Sequence, residues 1–456
     1  MPNRDNADRR DDLDSWLDGR IEPLPPPPGT FELIKRRARR RKYRKLAVGA
    51  GAAAVIVAAA VTVPQVVNLP VLHPTTANNA AASARSSPAA APSAGAGTSS
   101  SSASSVVPAP ALVPADFRPS SVTFIGTQTG WVIGQAGTPG HCATQYCTSV
   151  ARTDDAGTAW VGGPAPLTGA ADGASGVSQI RFLDREDGWA FGPELFATHD
   201  GGLTWNQVPT NGLRVTDLET VGSRVFALFA SCTGTGAAFA ARCTSYTLYS
   251  SRASADDWAP VGPATSGLPG AAASLVLTGT TGYLLGPNGT LYSGPVTGSA
   301  PWQPVKAIPC PVGAPLADGQ PTGALLAAAD AGNLVLACAS SNAPGTQQAK
   351  QVFTSDDNGS TWQNAAAAPA LGLATSVAAT PAGTYVLATG QGLDVRPAGS
   401  TTWQAAALDG PAPAGGFGYV GMTTDTQGVA LPANPAAGTV WFTFDGGKTW
   451  APSHVS

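Results

Sequence analysis

The sequence predicts an all-β chain, a seven-bladed β-propeller behind a single transmembrane helix, with six or eight blades as the neighbouring counts. Three observations lead there. Tryptophans recur at Trp160, Trp205, Trp258, Trp302, Trp362, Trp403 and Trp450. One uncharged run of 18 residues, Leu46 to Val63, follows a basic cluster. Gly (54) and Pro (40) are abundant while only 12% of residues are charged, so turns are frequent and long helices are confined to that run.

The tryptophans are separated by 45, 53, 44, 60, 41 and 47 residues. Each follows a short strand-like run and a turn: Ser149 to Thr153, Leu195 to Thr198, Thr247 to Ser250, Thr290 to Ser293, Gln351 to Thr354, Leu393 to Val395 and Val440 to Thr443. A second apolar run lies upstream, often opening with Gly-aromatic, as at Gly130-Trp131, Gly188-Trp189 and Gly282-Tyr283. Further runs such as Val122 to Ile125 and Ile180 to Leu183 precede those. Each unit therefore reads as three strands, a turn, a Trp and a short fourth strand. That is the period of a propeller blade. One blade cannot bury both faces, so the units stack around an axis.

The turn before the Trp carries a family signal. Thr198 to Trp205, Ser355 to Trp362 and Thr443 to Trp450 each read Ser/Thr-x-Asp-x-Gly-x-Thr-Trp, and Thr153 to Trp160 differs only at Ala159. This pattern resembles the Asp box (BNR repeat) of sialidase-like and photosystem II assembly factor-like propellers, over residues from about 119 to 456. The turns at Trp258, Trp302 and Trp403 depart from it. The resemblance implies that the boxes lie at the periphery, away from any binding centre. Physically, the Asp carboxylate accepts backbone N–H groups across the hairpin, Gly supplies a positive φ and the Trp packs between blades. Asp155, Asp200, Asp357 and Asp445 are thus expected to be structural, with Trp160, Trp205, Trp362 and Trp450 in the core.

Ahead of the repeats, residues 1–45 form a Pro-rich, basic tail with 13 Lys/Arg and 8 Asp/Glu, net +5, whereas residues 46–456 carry net −8. Nine basic residues between Lys35 and Lys45 flank Leu46 to Val63. As a helix these 18 residues span about 27 Å, near the hydrocarbon thickness. The basic flank places the tail in the cytoplasm and the C-terminal part outside. A cleaved signal peptide is the rival, and it leaves the large domain outside as well. Residues 64–115, rich in Ala, Ser and Pro, read as an unfolded linker, and 116–456 as the extracytoplasmic propeller. The expected setting is a bacterial cell membrane, with the protein crossing once.

The six cysteines all follow the membrane run: Cys142, Cys147, Cys232, Cys243, Cys310 and Cys338. An even count in an oxidising compartment favours disulfides. Sequence leaves the connectivity open; nearest neighbours are expected because the first two pairs each sit in one inter-strand loop. No Cys-x-x-Cys or His-Glu-x-x-His occurs, so neither a metal site nor a cofactor is predicted. The charge pattern does not suggest nucleic acid.

The sialidase resemblance raises the question of glycoside hydrolysis, which needs an arginine cluster, an acid and an activated tyrosine or carboxylate pair at the axis. Phe117-Arg118-Pro119 only partly matches the family's Phe-Arg-Ile-Pro motif, and reads as the linker's end entering the first blade. The expected innermost strands are Val122–Gly126, Ser178–Leu183, Val215–Val221, Ala273–Thr278, Gly323–Ala328, Ser376–Thr380 and Tyr419–Thr423. Their charged residues are Arg181, Asp217 and Glu219, too few for that constellation. The sequence therefore favours a non-catalytic propeller that binds a protein or glycan, through rim loops at Gly134–Ser149, Ser231–Thr247 and Ser340–Lys350. A sialidase-like exo-glycoside hydrolase is the alternative. A third reading makes the propeller a sensor for a signalling tail.

Overall fold

The computed structural model describes residues 111–456 apart from 139–140, 143–145, 172–174, 234–242, 267–272, 298–299, 311, 313–322, 331, 340–349 and 368–371. The tail, the run Leu46 to Val63 and nearly all of the linker lie outside the described residues. Among the described residues no helix is long and apolar enough to cross a membrane.

The strands form seven antiparallel sheets, each laid down in chain order from the axis outward. The first strands are Phe117–Phe124, Gln179–Phe182, Arg214–Val221, Ser274–Leu277, Ala324–Ala328, Ala374–Ala379 and Phe417–Met422. Each lies beside the first strand of the next sheet, and the last sheet returns against the first. The result is a seven-bladed propeller. Blade seven supplies its own fourth strand, Thr449–His454, and a short segment, Ala407–Leu408, pairs with it in parallel. Among the described residues the ring therefore closes by packing, with no strand exchanged between the first and last blades.

Apolar side chains from adjacent blades make the core. Blades seven and one meet through Val122, Trp160, Val429, Val440 and Phe442. Val113 and Phe117 join this cluster with Val455, and Ala111 bridges Gly162 on the outer strand of blade one. The packed chain thus takes in residues upstream of 116, where composition alone marks only linker. Phe117 is core, and Arg118 donates to the carbonyl of Gly137 at 2.6 Å.

Each repeat Trp packs with residues of the preceding blade, as Trp450 does with Val386 and Val395 and Trp302 with Phe226 and Leu248. Trp160, Trp302 and Trp450 are buried, while Trp205, Trp258, Trp362 and Trp403 are half-buried. The cysteines form three disulfides, Cys142–Cys147, Cys232–Cys243 and Cys310–Cys338. The third joins the end of blade four to the second strand of blade five.

Candidate functional site

The four regular Ser/Thr-x-Asp turns share one geometry. The Ser/Thr hydroxyl donates to the Asp carboxylate at 2.7–2.9 Å: Thr153 to Asp155, Thr198 to Asp200, Ser355 to Asp357 and Thr443 to Asp445. The same hydroxyl accepts the N–H of Gly157, Gly202, Gly359 or Gly447. The Asp accepts the N–H four residues on, from Ala159, Thr204, Thr361 or Thr449. The Thr hydroxyl at that position donates as well, except where Ala159 stands. In Asp155 and Asp357 the backbone N–H bonds lead in holding the carboxylate below its ordinary pKa; in Asp200 and Asp445 burial opposes, and hydrogen bonds from Thr204 and Thr449 outweigh it.

Each turn is also tied to the first hairpin of its own blade, through Ala156 N–H to Gln128 O, Gly201 to Glu186, Asn358 to Gly332 and Gly446 to Thr426. Gly157, at φ +84°, would place a Cβ 2.2 Å from Phe442 of blade seven. Gly359, also at +84°, would place one 2.4 Å from Leu291 of blade four. These glycines serve a positive φ and a close approach of the neighbouring blade together. Each carboxylate is thereby engaged within its own turn, through both oxygens in Asp200, Asp357 and Asp445 and through Oδ1 in Asp155.

The axis is different. In blades one, three, six and seven the first strand carries a β-bulge, after Pro119, Val215, Ala374 and Phe417. A bulge re-aims the side chain that follows it. In three blades that side chain bonds the next blade: Ser121 accepts from Ile180 N–H at 3.2 Å, Asp217 from Leu275 at 2.7 Å and Ser376 from Val420 at 3.2 Å. The bulged residue adds a second bond in two of them, Ser120 to Ser178 O and Thr375 to Phe417 O. Blade seven has Gly418 and Tyr419 at these positions. Gly418 has no side chain to donate. Among the described residues the Tyr419 hydroxyl has no hydrogen-bond partner; it lies over Gly421, whose Cβ would meet it at 2.5 Å.

A cavity of about 230 Å³ opens at this unstapled seam, lined by Thr123, Arg181, Glu219, Thr220, Tyr419 and Thr423 among others. The lining residues fall toward the ends of the first strands, the end that carries the Ser/Thr-x-Asp turns. The second-to-third-strand connections at 134–149 and 231–247 leave from the opposite end. Arg181 donates from Nε to Glu219 at 3.1 Å and from Nη1 to the carbonyl of its neighbour Ile180 at 3.0 Å. Its side chain is 13% exposed and that of Glu219 is 29% exposed. Burial works against the guanidinium charge, but Glu219, Tyr419 and Asp217 hold its pKa above the ordinary value. Burial likewise raises the Tyr419 phenol. Burial, then the Glu219 carboxylate, push Asp217 up to about 7.

Of the three charged residues expected at the axis, then, two face the cavity. Asp217 is a staple whose oxygens accept the N–H groups of Leu218 and Leu275. Tyr419 is the site residue that sequence reasoning missed. Repeat alignment marks it only as the blade-seven counterpart of Ser121, Asp217 and Ser376, where the residue type changes.

Among the described residues no His/Cys/Asp/Glu cluster has the geometry to hold a metal. A larger groove of about 600 Å³ runs along Trp131, Val161 and Leu203 at the outer edge of blades one and two. The chain's own Ala111 already enters it, and its Arg152 and Asp154 pair with each other at 2.9 Å.

No protein-family model matches the chain, and no curated protein matches it. Solved structures do resemble the chain in fold. YCF48 bound to D1 peptide aligns at TM-score 0.47 and 17% identity, over 73% of this chain and 95% of that one. YCF48 from Cyanidioschyzon merolae aligns at 0.42 and 15%, over 60% and 83%. The GH74 enzyme of Niastella koreensis aligns at 0.37 and 12%, over 73% and 65%. At such identities neither ligand nor activity transfers to this chain.

Proposed function

We propose that the chain is a single-pass membrane protein, N-terminus in the cytoplasm, whose propeller stands outside the membrane and binds a protein or glycan without turning it over. The observation that carries the binding reading is the seam at the axis. There the repeating inter-blade staple is replaced by Gly418 and Tyr419, and a pocket opens with a free hydroxyl beside an ordered Arg181–Glu219 pair. Pockets that hold a few convergent polar groups are the usual place for a ligand. The anchor reading rests on the basic flank and the uncharged run Leu46 to Val63. Three disulfides suit an oxidising compartment.

Glycoside hydrolysis usually needs two carboxylates facing one bond. Here Glu219 faces the pocket, while Asp217 is engaged by two backbone N–H groups. The test is crosslinking of the full-length chain in intact cells, followed by affinity capture. A recurrent extracytoplasmic catch that is lost in Tyr419→Phe supports the reading. A catch indifferent to Tyr419→Phe refutes the axial site.

A further inference from the structure

We infer that the axial pocket takes a single neutral sugar ring, held by vicinal hydroxyls between Arg181 and Glu219 and by the hydroxyl of Tyr419. This rests on the binding reading above and narrows it. The argument begins with charge. The charged side chains that line the pocket are one guanidinium and one carboxylate, already paired at 3.1 Å. Their charges cancel, so an anionic ligand gains no net attraction and must compete with Glu219 for the arginine. A cation must compete with Arg181 in the same way. A neutral ligand that both donates and accepts meets no such opposition.

The second step is hydrogen-bond inventory. The guanidinium offers donors only and the carboxylate acceptors only. Set side by side, they complement two adjacent hydroxyls, one accepting and one donating. Bonds to charged partners are stronger than neutral ones. The lining adds Tyr419 and the hydroxyl residues Thr123, Thr220 and Thr423, which can serve either role. The third step is size. About 230 Å³ is below the ~300–1,000 Å³ of pockets that hold drug-sized ligands. One ring fits, so the pocket takes the end of a glycan and not the middle of a chain. The Tyr419 ring and Phe124 supply apolar surface at the wall.

The pattern of staples says why such a site survives. Ser121, Asp217 and Ser376 bind neighbouring blades together. A serine in place of Tyr419 would fit the same scheme. The tyrosine gives up that bond and leaves a hydroxyl facing the pocket.

The experiment is saturation-transfer difference NMR on the full-length chain in detergent. The probes are methyl α-D-mannopyranoside, methyl β-D-galactopyranoside and N-acetyl-D-glucosamine, with N-acetylglutamine amide as the peptide-like probe and acetate as the anion. Transfer to at least one sugar is expected, falling at least tenfold in Glu219→Gln and in Tyr419→Phe. Both variants keep shape, and Glu219→Gln keeps an acceptor for Arg181, so a fold-wide loss is separable by their melting curves. No transfer to any sugar, transfer that survives both substitutions, or preference for acetate or the amide overturns the sugar. If the sugars fail while the cellular catch still depends on Tyr419, the binding reading stands and only the ligand class falls. If both fail, the axial site falls with it.

Discussion

Blades one, two, five and seven turn from third to fourth strand by one hydrogen-bonded device; blades three, four and six do without it, each in its own way. In blade three Asp257, four positions later in the turn, takes the role of acceptor, bonded by Ser251 and by the backbone and side chain of Arg252. The same turn reaches blade two, where His199 bridges Asp187 at 2.7 Å and Asp256 at 3.0 Å. Blade four has no such carboxylate; Trp302 sits on Gly282 and Gly294, whose Cβ atoms would fall 2.0 and 2.2 Å from its ring. Its outer end is tied to blade five by Cys310–Cys338. Blade six uses Ser400, which accepts from Thr402 N–H and offers its carbonyl to Arg396. What all seven keep is the Trp against the preceding blade. The inter-blade contact is the conserved physical demand, and the Asp turn is one local means of presenting it.

That ranking has consequences for stability. The largest loss is expected from Trp450→Ala, because the side chain is 1% exposed and packs on blade six. Emptying such a site costs about 3–5 kcal/mol. Trp403→Ala, in a half-buried site of an irregular blade, should cost clearly less. Denaturant melts of the two variants compare them, and equal losses would break the ranking. Next comes the pair Cys310→Ser with Cys338→Ser. The bond closes a loop of 28 residues, which corresponds to roughly 3–4 kcal/mol by loop entropy. Melting of the double variant without reductant reads it directly. Asp445→Ala should be smaller, roughly 1–2 kcal/mol, since the carboxylate is exposed and its bonds are screened. Its pKa is lowered, so the contribution is present above about pH 3.9 and is lost as pH falls through the folded value. An acid titration of melting temperature should show wild type and variant converging.

The fold was legible because the Trp and its turn survive in enough copies to show a period, even where Asp is lost. The site was not. Tyr419 acquires meaning only from the bulge before it and from the seam between blades seven and one, which are separated by some three hundred residues of sequence. Asp217 stood out in the sequence only as one of three charged residues on the innermost strands, and nothing there shows that its oxygens bind backbone of blades three and four. Its staple counterparts, Ser121 and Ser376, share no residue type with it, so no motif announces the position. Val113 sits in a stretch whose composition is that of the linker, and only the structure shows it in the core cluster with Phe117 and Val455.

The His199 clamp between blades two and three sharpens the comparison by its pH response. Burial disfavours the His199 imidazolium, but the carboxylates of Asp187 and Asp256 outweigh it and raise its pKa above the ordinary value. A raised pKa means that the clamp's contribution is full below about pH 6.5 and fades as pH rises through the folded value. The Asp turns do the reverse, weakening only in acid. His199→Gln should therefore lower the melting temperature more at pH 5.5 than at pH 8.5. Asp217 and Asp394, pushed up to about 7 and about 6, titrate across the same interval. They are present in both proteins, so the difference between wild type and variant removes their share. A difference that does not change with pH would show that the charge of His199 adds nothing to the join between blades two and three, leaving it to the packing around Trp258 and Trp189 and to the Arg181–Glu219 pair.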